Sequence, residues 1–193
     1  MKLAKINTTL LICIILVNGY IILTPLALGV FFQLQNHSAR QQNLEKKLHQ
    51  VQKPNSVSRA NRLIVPGMLL DQPILDGPES QQYQILNKGI WRFNSGSTPD
   101  RGSNTVLIGH RFTYTNPRGV FYYLNKVKMG DEIGVWWGNE KYLYKVVSIK
   151  EVPPNDTAIE NNTARPKLTL FTCTPLWLPK DRLVVVADLE VKP

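Results

Sequence analysis

Residues 10–32 carry no charged side chain, and that run constrains the chain more than any other feature. A hydrocarbon core of roughly 30 Å takes about 20 apolar residues of helix, which the run supplies with slight excess. Asn18, Tyr20 and Thr24 are its mild polar members, and Pro25 and Gly29 are tolerated in spanning helices. It is the only segment of its kind, so a polytopic membrane protein is excluded. Lys2, Lys5 and the amino terminus precede the run and favour a cytoplasmic amino end. Arg40, Lys46 and Lys47 weaken that asymmetry, but long following domains translocate largely regardless of charge. The expected division is a cytoplasmic stub (1–9), a single-pass anchor in the cell membrane (10–32), a polar connector (33–58) and an extracellular body (59–193). A cleaved secretory signal is the competing reading, although signal cores are shorter, about 7–15 residues.

Charge and cysteine content narrow the body's chemistry. All but Lys2 and Lys5 of the 23 Lys and Arg lie beyond the anchor, against 14 Asp and Glu. They are scattered rather than clustered, so no nucleic-acid footprint is present, and attraction to an anionic surface is the milder reading. Cys13 lies inside the anchor and cannot pair with Cys173 in the body. A lone thiol in an exported domain is either a reactive group or a small buried hydrophobe.

In the connector, Leu44, Leu48 and Val51 sit at i, i+4 and i+7, the stripe of a short helix that acts as a stalk or lies against the body. His37 and His49 read as solvated connector residues, with no convergent partners at metal-ligand spacing. Beyond Asn61 the texture is short β-like runs broken by Pro and Gly: 62–65, 105–108, 132–137, 141–150, 167–172 and 182–189. Gly138–Asn139 suits a hairpin turn. Helical signal is confined to pieces near 80–86 and 120–124. Six to eight short strands predict a mainly β domain, an antiparallel barrel or sandwich. The irregular segments 87–104 and 152–166 are candidate binding loops.

One constellation carries chemistry. The strand Leu168-Thr-Leu-Phe-Thr delivers Cys173 near its end, and Pro175 stops it. Arg182 opens the last strand, and if the two strands are neighbours it faces the sulfur, where a permanent cation stabilises a thiolate. His110, the body's only imidazole outside the connector, ends the strand 105–108 after Gly109. A lone His is commonly structural, but a Cys–His pair is a standard acyl-transfer arrangement.

The strings Asn104-Thr-Val-Leu-Ile-Gly-His-Arg and Thr169-Leu-Phe-Thr-Cys, with Arg182 and its apolar strand, resemble the sortases, membrane-anchored cysteine transpeptidases of bacterial surfaces. The motif Thr-Leu-x-Thr-Cys matches residues 169–173 position by position, Gly-His matches Gly109 and His110, and the active-site Arg matches Arg182. Leu63-Ile-Val-Pro and Val127-Lys-Met-Gly-Asp-Glu-Ile agree in order, and the resemblance covers about residues 61–190. It implies an eight-stranded sortase-type β-barrel with short helices behind one transmembrane helix. It also implies that Cys173 attacks an LPxTG-like sorting signal on a surface protein and forms a thioacyl enzyme. His110 would then protonate the departing amine and deprotonate the incoming one, with Arg182 on the substrate and oxyanion. The acceptor is an amine of a cell-wall precursor or a pilin lysine, and no cofactor is required. Thr172, Thr174 and Trp177 are candidate substrate-binding residues. No Asp-Pro-aromatic triplet precedes residue 100, which argues against the lid-bearing, pilus-building subclass, and Arg92 stands where several relatives have His.

Some relatives bind calcium near the substrate loop. Glu151, Asp156 and Glu160 occupy such a loop here, though acids in polar loops are usually just solvated. Two other functions remain open: a thiol hydrolase using the same three residues with water as acceptor, and a non-catalytic, membrane-tethered β domain that binds peptide or wall polymer.

Overall fold

A computed structural model describes residues 2–34, 37–49, 61–113 and 115–191, which fall into two compact units, residues 1–40 and 41–193. The first contains α1 (Lys2–Leu34), a continuous helix of 33 residues, or about 50 Å at 1.5 Å per residue. Its window Asn7–Thr24, with mean hydropathy 1.9, is long and apolar enough to cross a membrane. Two of its polar residues bond back to the preceding turn, as apolar surroundings require. Asn18 Nδ2 donates to the Ile14 carbonyl at 2.8 Å, and Thr24 Oγ1 to that of Tyr20 at 2.6 Å.

The second unit is an eight-stranded closed barrel: β1 (Arg62–Val65), β2 (Leu70–Leu75), β3 (Ile90–Arg92), β4 (Asn104–Ile108), β5 (Glu132–Trp137), β6 (Glu140–Val152), β7 (Lys167–Thr174) and β8 (Asp181–Val191). Around the barrel the order is β1-β2-β3-β4-β7-β8-β6-β5. The six strand expectations are met within a few residues at each end, and Gly138–Asn139 separates β5 from β6. β2 and β3 have no counterpart among them. Asp71, Gln72 and Pro73 interrupt the apolar pattern of β2, and β3 is three residues long. The 80–86 segment is a short 3-10 turn followed by α3 (Gln82–Leu86). Residues 120–124 are turns leading into a 3-10 turn at Leu124–Lys126, not a helix.

The barrel is mixed rather than wholly antiparallel, because β2 pairs β3 and β4 pairs β7 in parallel. Parallel neighbours need a long crossover. Between β4 and β7 that connection contains the whole β5–β6 hairpin. Alternation sends Leu63, Ile133, Val135, Tyr142, Tyr144, Leu168, Leu170, Val185 and Ala187 inward, where each is fully buried.

Two outer faces of the sheet are also covered. On one, Leu44 and Leu48 of α2 (His37–His49) pack against Ile64, Trp136 and Leu143. In this part of the chain the connector lies against the body. A Cβ at position 134 would collide with Leu48, so Gly134 is what admits the helix. Lys47 meets Asp71 at 2.8 Å, Arg62 meets the same carboxylate at 2.6 Å, and Lys141 donates to the Leu48 carbonyl at 2.6 Å. His49 is exposed but stands 2.9 Å from Glu132, so it is paired rather than merely solvated. Val51, the third residue of the expected stripe, lies outside the described residues. On the other face, Val106, Phe171 and Val184 are roofed by Val152 and by Ile159 of the 153–166 loop.

Candidate active site

The second outer face carries the candidate residues, and strand register brings them together. Cys173 of β7 is directly opposite Arg182 of β8. In the parallel β4–β7 pair, Ile108 is level with Phe171. Continuing that register sets Gly109 beside Thr172 and His110 beside Cys173, and the Gly109 amide still reaches the Phe171 carbonyl at 3.4 Å. The chain that follows β4 thus carries His110 past the end of that strand on the side of Cys173, which faces Arg182 across β7 and β8. Alternation points Cys173 to the side of Phe171 and Val106, away from the barrel interior.

Two hydrogen bonds bracket His110 and Cys173. Thr172 Oγ1 donates to the Gly109 carbonyl at 2.7 Å, and Arg111 Nη1 donates to Thr174 Oγ1 at 2.9 Å. The residues before and after the Cys are thus stapled to those before and after the His. Thr172 and Thr174 are buried, and their hydroxyls are spent on these bonds, Thr174 also reaching Glu151 at 3.4 Å. Gly109 has a steric reason: a Cβ there would lie 2.6 Å from Val120 and 2.8 Å from the Phe121 ring.

The Cys173 residue is open to solvent, yet the protein around it still penalises the thiolate. Burial pushes the thiol up from its ordinary value, and the Arg182 charge pulls it part of the way back. Burial lowers the His110 imidazole. Its Nε2 is buried with no hydrogen-bond partner among the described residues, and the Tyr83 ring meets it edge-on at 6.4 Å. At neutral pH the resting pair is thus thiol and neutral imidazole.

Arg182 is held from two sides. Its guanidinium lies 4.9 Å from the Phe171 ring centre, and Nη1 donates to Glu160 at 3.0 Å. Glu160 belongs to the 153–166 loop, which Asn104 ties to β4 by donating to the carbonyls of Ile159 and Asn161 at 3.0 and 3.1 Å. The three acids considered for calcium therefore have other engagements: Glu160 with Arg182, Asp156 with the Ala158 amide, and Glu151 with Thr174. No group of three His, Cys, Asp or Glu converges among the described residues. Trp177, in the β7–β8 loop, is 37% exposed and packs edge-on against Phe112 at 4.7 Å. The sequence shows Glu160 as an acid in a polar loop and Asn104 and Arg111 as members of the Gly-His string, but not these contacts, because their partners are 22, 55 and 63 residues away.

Residues 63–190 match the sortase domain model. The chain belongs to the sortase family. It is 30% identical over 141 residues to sortase A of Staphylococcus aureus, covering 69% of this chain and 65% of that one. It is 27% identical over 124 residues to sortase D of Bacillus subtilis, covering 64% and 58%. The chain thus spans less than two thirds of the length of these sortase relatives. Among solved sortases, the barrel resembles sortase A of Listeria monocytogenes (TM-score 0.59, 24% identity, 69% of this chain and 88% of that one). It also resembles sortase E1 of Streptomyces coelicolor with a tripeptide in its active site (TM-score 0.57, 26% identity, the same coverages).

Proposed function

We propose that the chain is a cysteine transpeptidase that cleaves an LPxTG-like sorting signal on surface proteins and passes the acyl group to an amine. The observation that carries this reading is Cys173 opposite Arg182 across β7 and β8, with His110 two residues past the end of the neighbouring β4. His110 takes the proton of the Cys173 thiol, and the sulfur attacks the scissile carbonyl carbon. Arg182 stabilises the resulting oxyanion, the kind of preorganised charge that dominates acyl transfer. The tetrahedral adduct collapses as the C–N bond breaks and His110 returns its proton to the leaving amine, giving a thioester on Cys173. An incoming amine then attacks that thioester, His110 accepts its proton, and the C–S bond breaks to regenerate the thiol.

Thr172, Arg111 and Thr174 act as positioning residues in this scheme, and Trp177 is the candidate substrate contact whose ring is open. The anchor is α1, with Lys2 and Lys5 on the cytoplasmic side and the barrel outside. The residues that act are the same for hydrolysis, so the test must resolve the acceptor. The full chain in detergent micelles is incubated with a panel of LPxTG-type peptides, with and without an amine, and followed by intact-mass spectrometry. A Cys173-linked acyl adduct and an amine-joined product are expected. Cleavage to free acid alone, at saturating amine, would identify a hydrolase; no adduct from any peptide would sink the reading.

A further inference from the structure

Thr169, four residues before Cys173 on β7, is buried, and its Oγ1 donates to Asn104 Oδ1 at 2.7 Å. Asn104, at the start of β4 and also buried, turns the other end of its amide to the 153–166 loop. There Nδ2 donates to the carbonyls of Ile159 and Asn161 at 3.0 and 3.1 Å. These acceptors fix the orientation of the amide, because turning it over would set its oxygen against two carbonyl oxygens.

The two held carbonyls bracket Glu160. Ile159 on one side enters the apolar cluster of Val106, Phe171 and Val184. Between them Glu160 accepts from Arg182 Nη1 at 3.0 Å, and the two side chains are only 17% and 24% exposed. A charge pair shielded this far from water is felt by its neighbours more strongly than a surface pair. From the elements packed on it, Arg182 meets Glu160 of the loop and Cys173 of β7, while β6 opposes it with Val152. The guanidinium thus divides its field between a held anion and the thiol.

We propose that Asn104 is a positioning residue for the Arg182–Cys173 pair: held by Thr169, it fixes Glu160 on Arg182 and so sets how much of the Arg182 charge reaches the sulfur. For its meaning in turnover the assignment rests on the transpeptidase reading above. Glu160 aims the guanidinium and at the same time offsets its charge. When Asn104 releases the loop, Glu160 leaves, Cys173 feels the full cation, and its thiolate forms more readily.

The test reads Cys173 without a sorting peptide. The full chain in detergent micelles is labelled with iodoacetamide across a range of pH. Modification of the Cys173 peptide is followed by mass spectrometry, since the thiolate is the form that reacts. Glu160→Gln should lower the midpoint by about half a pH unit, a rate about threefold faster below it. Asn104→Ala should lower it by a similar amount, and should add nothing in the Glu160→Gln background. Thr169→Val should give a smaller shift in the same direction, and it decides the matter if circular dichroism shows Asn104→Ala unfolded. Ser103→Ala is the control for general loosening. Ser103 ties the same loop beyond Glu160, donating to the Thr163 carbonyl at 3.0 Å and accepting from its amide at 2.9 Å, and its loss should leave the midpoint in place. An unmoved midpoint in the deciding variant, a full shift that survives in the double variant, or an equal shift from Ser103→Ala overturns the assignment. Acylation by the LPxTG-type peptides, measured separately, separates the two levels: an adduct without these shifts removes only the role of Asn104. The shifts without an adduct from any peptide remove the transpeptidase reading and leave Asn104 governing the thiol.

Discussion

The barrel has two covered outer faces, and they are finished differently. On the face of β1, β5 and β6, Leu44 and Leu48 close over Ile64, Trp136 and Leu143, and the nearby charges are matched: Lys47 and Arg62 on Asp71, Lys141 on a helix carbonyl. On the face of β4, β7 and β8, the 153–166 loop roofs an equally apolar cluster. Beside it the protein leaves His110 Nε2 and Arg111 Nε buried without partners among the described residues, and a thiol whose ionisation burial opposes. Satisfied groups mark where the chain only needs to hold together. Polar groups kept dry and unpaired cost stability; among the described residues two such atoms belong to His110 and Arg111, and the others to Thr98, Thr105 and Tyr144.

The sharpest break between the faces is Cys173→Ala, which should abolish acylation by any sorting peptide while circular dichroism shows an unchanged barrel. Arg182→Gln comes next. Loss of one oxyanion donor should lower kcat/KM for acylation about 10²–10³-fold. The pH profile gives a second readout. With thiol raised and imidazole lowered, its alkaline limb should lie above the ordinary thiol value and its acid limb below the ordinary imidazole value. Because Arg182 favours the thiolate, Arg182→Gln should move the alkaline limb further up, and Arg182→Lys should restore part of it. An unmoved limb would mean that the two groups do not communicate.

The same division decides what could be read from sequence. The β5–β6 hairpin and the β7–β8 pair were legible because alternation and turn residues are local signals, and with them the opposition of Cys173 and Arg182 across a short loop. The place of His110 was not locally legible. It depends on the parallel β4–β7 register, closed over some 60 residues of intervening chain; residue type made His110 a candidate partner of the thiol, and the family motif tied Gly109–His110 to it. Glu160 was legible as an acid in a polar loop and nothing more, since its link to Arg182 exists only once Asn104 has pinned that loop to β4. β2 was missed because Pro73 breaks its pattern, although its pairing with β1 begins at that residue, opposite Arg62.

The α2 face should respond in the opposite sense to the site. Leu48 is fully buried, and Leu48→Ala should cost about 2–5 kcal/mol, seen as faster amide exchange along residues 41–49, with acylation unchanged. A loss of acylation with that variant would couple the two faces. A finer effect lies within the site. Glu160→Gln removes the counter-charge on Arg182, so the alkaline limb should move down, opposite to Arg182→Gln.

The smallest effect expected is that of Lys47→Gln, and it reports on the other face by pH. Burial raises the Asp71 carboxyl, but hydrogen bonds from Lys47 and Arg62, with their charges, overcome it and hold the group below its ordinary value. A carboxyl lowered on folding contributes stability that is present above the unfolded value, about 3.9, and is lost as pH falls through the folded one. The Lys47 side chain is 52% exposed, so its share is that of a surface pair, about 0.5 kcal/mol. Lys47→Gln should therefore speed exchange in α2 slightly at neutral pH, and the difference from the parent chain should vanish once acid has protonated Asp71. A difference that persists in acid would assign the effect to the packing of the Lys47 stem rather than to its charge. In that case α2 would be held by apolar contact together with the Lys141 bond to the Leu48 carbonyl and the His49–Glu132 contact, and the contrast between a charge-matched face and an unmatched one would rest on Arg62 and Lys141.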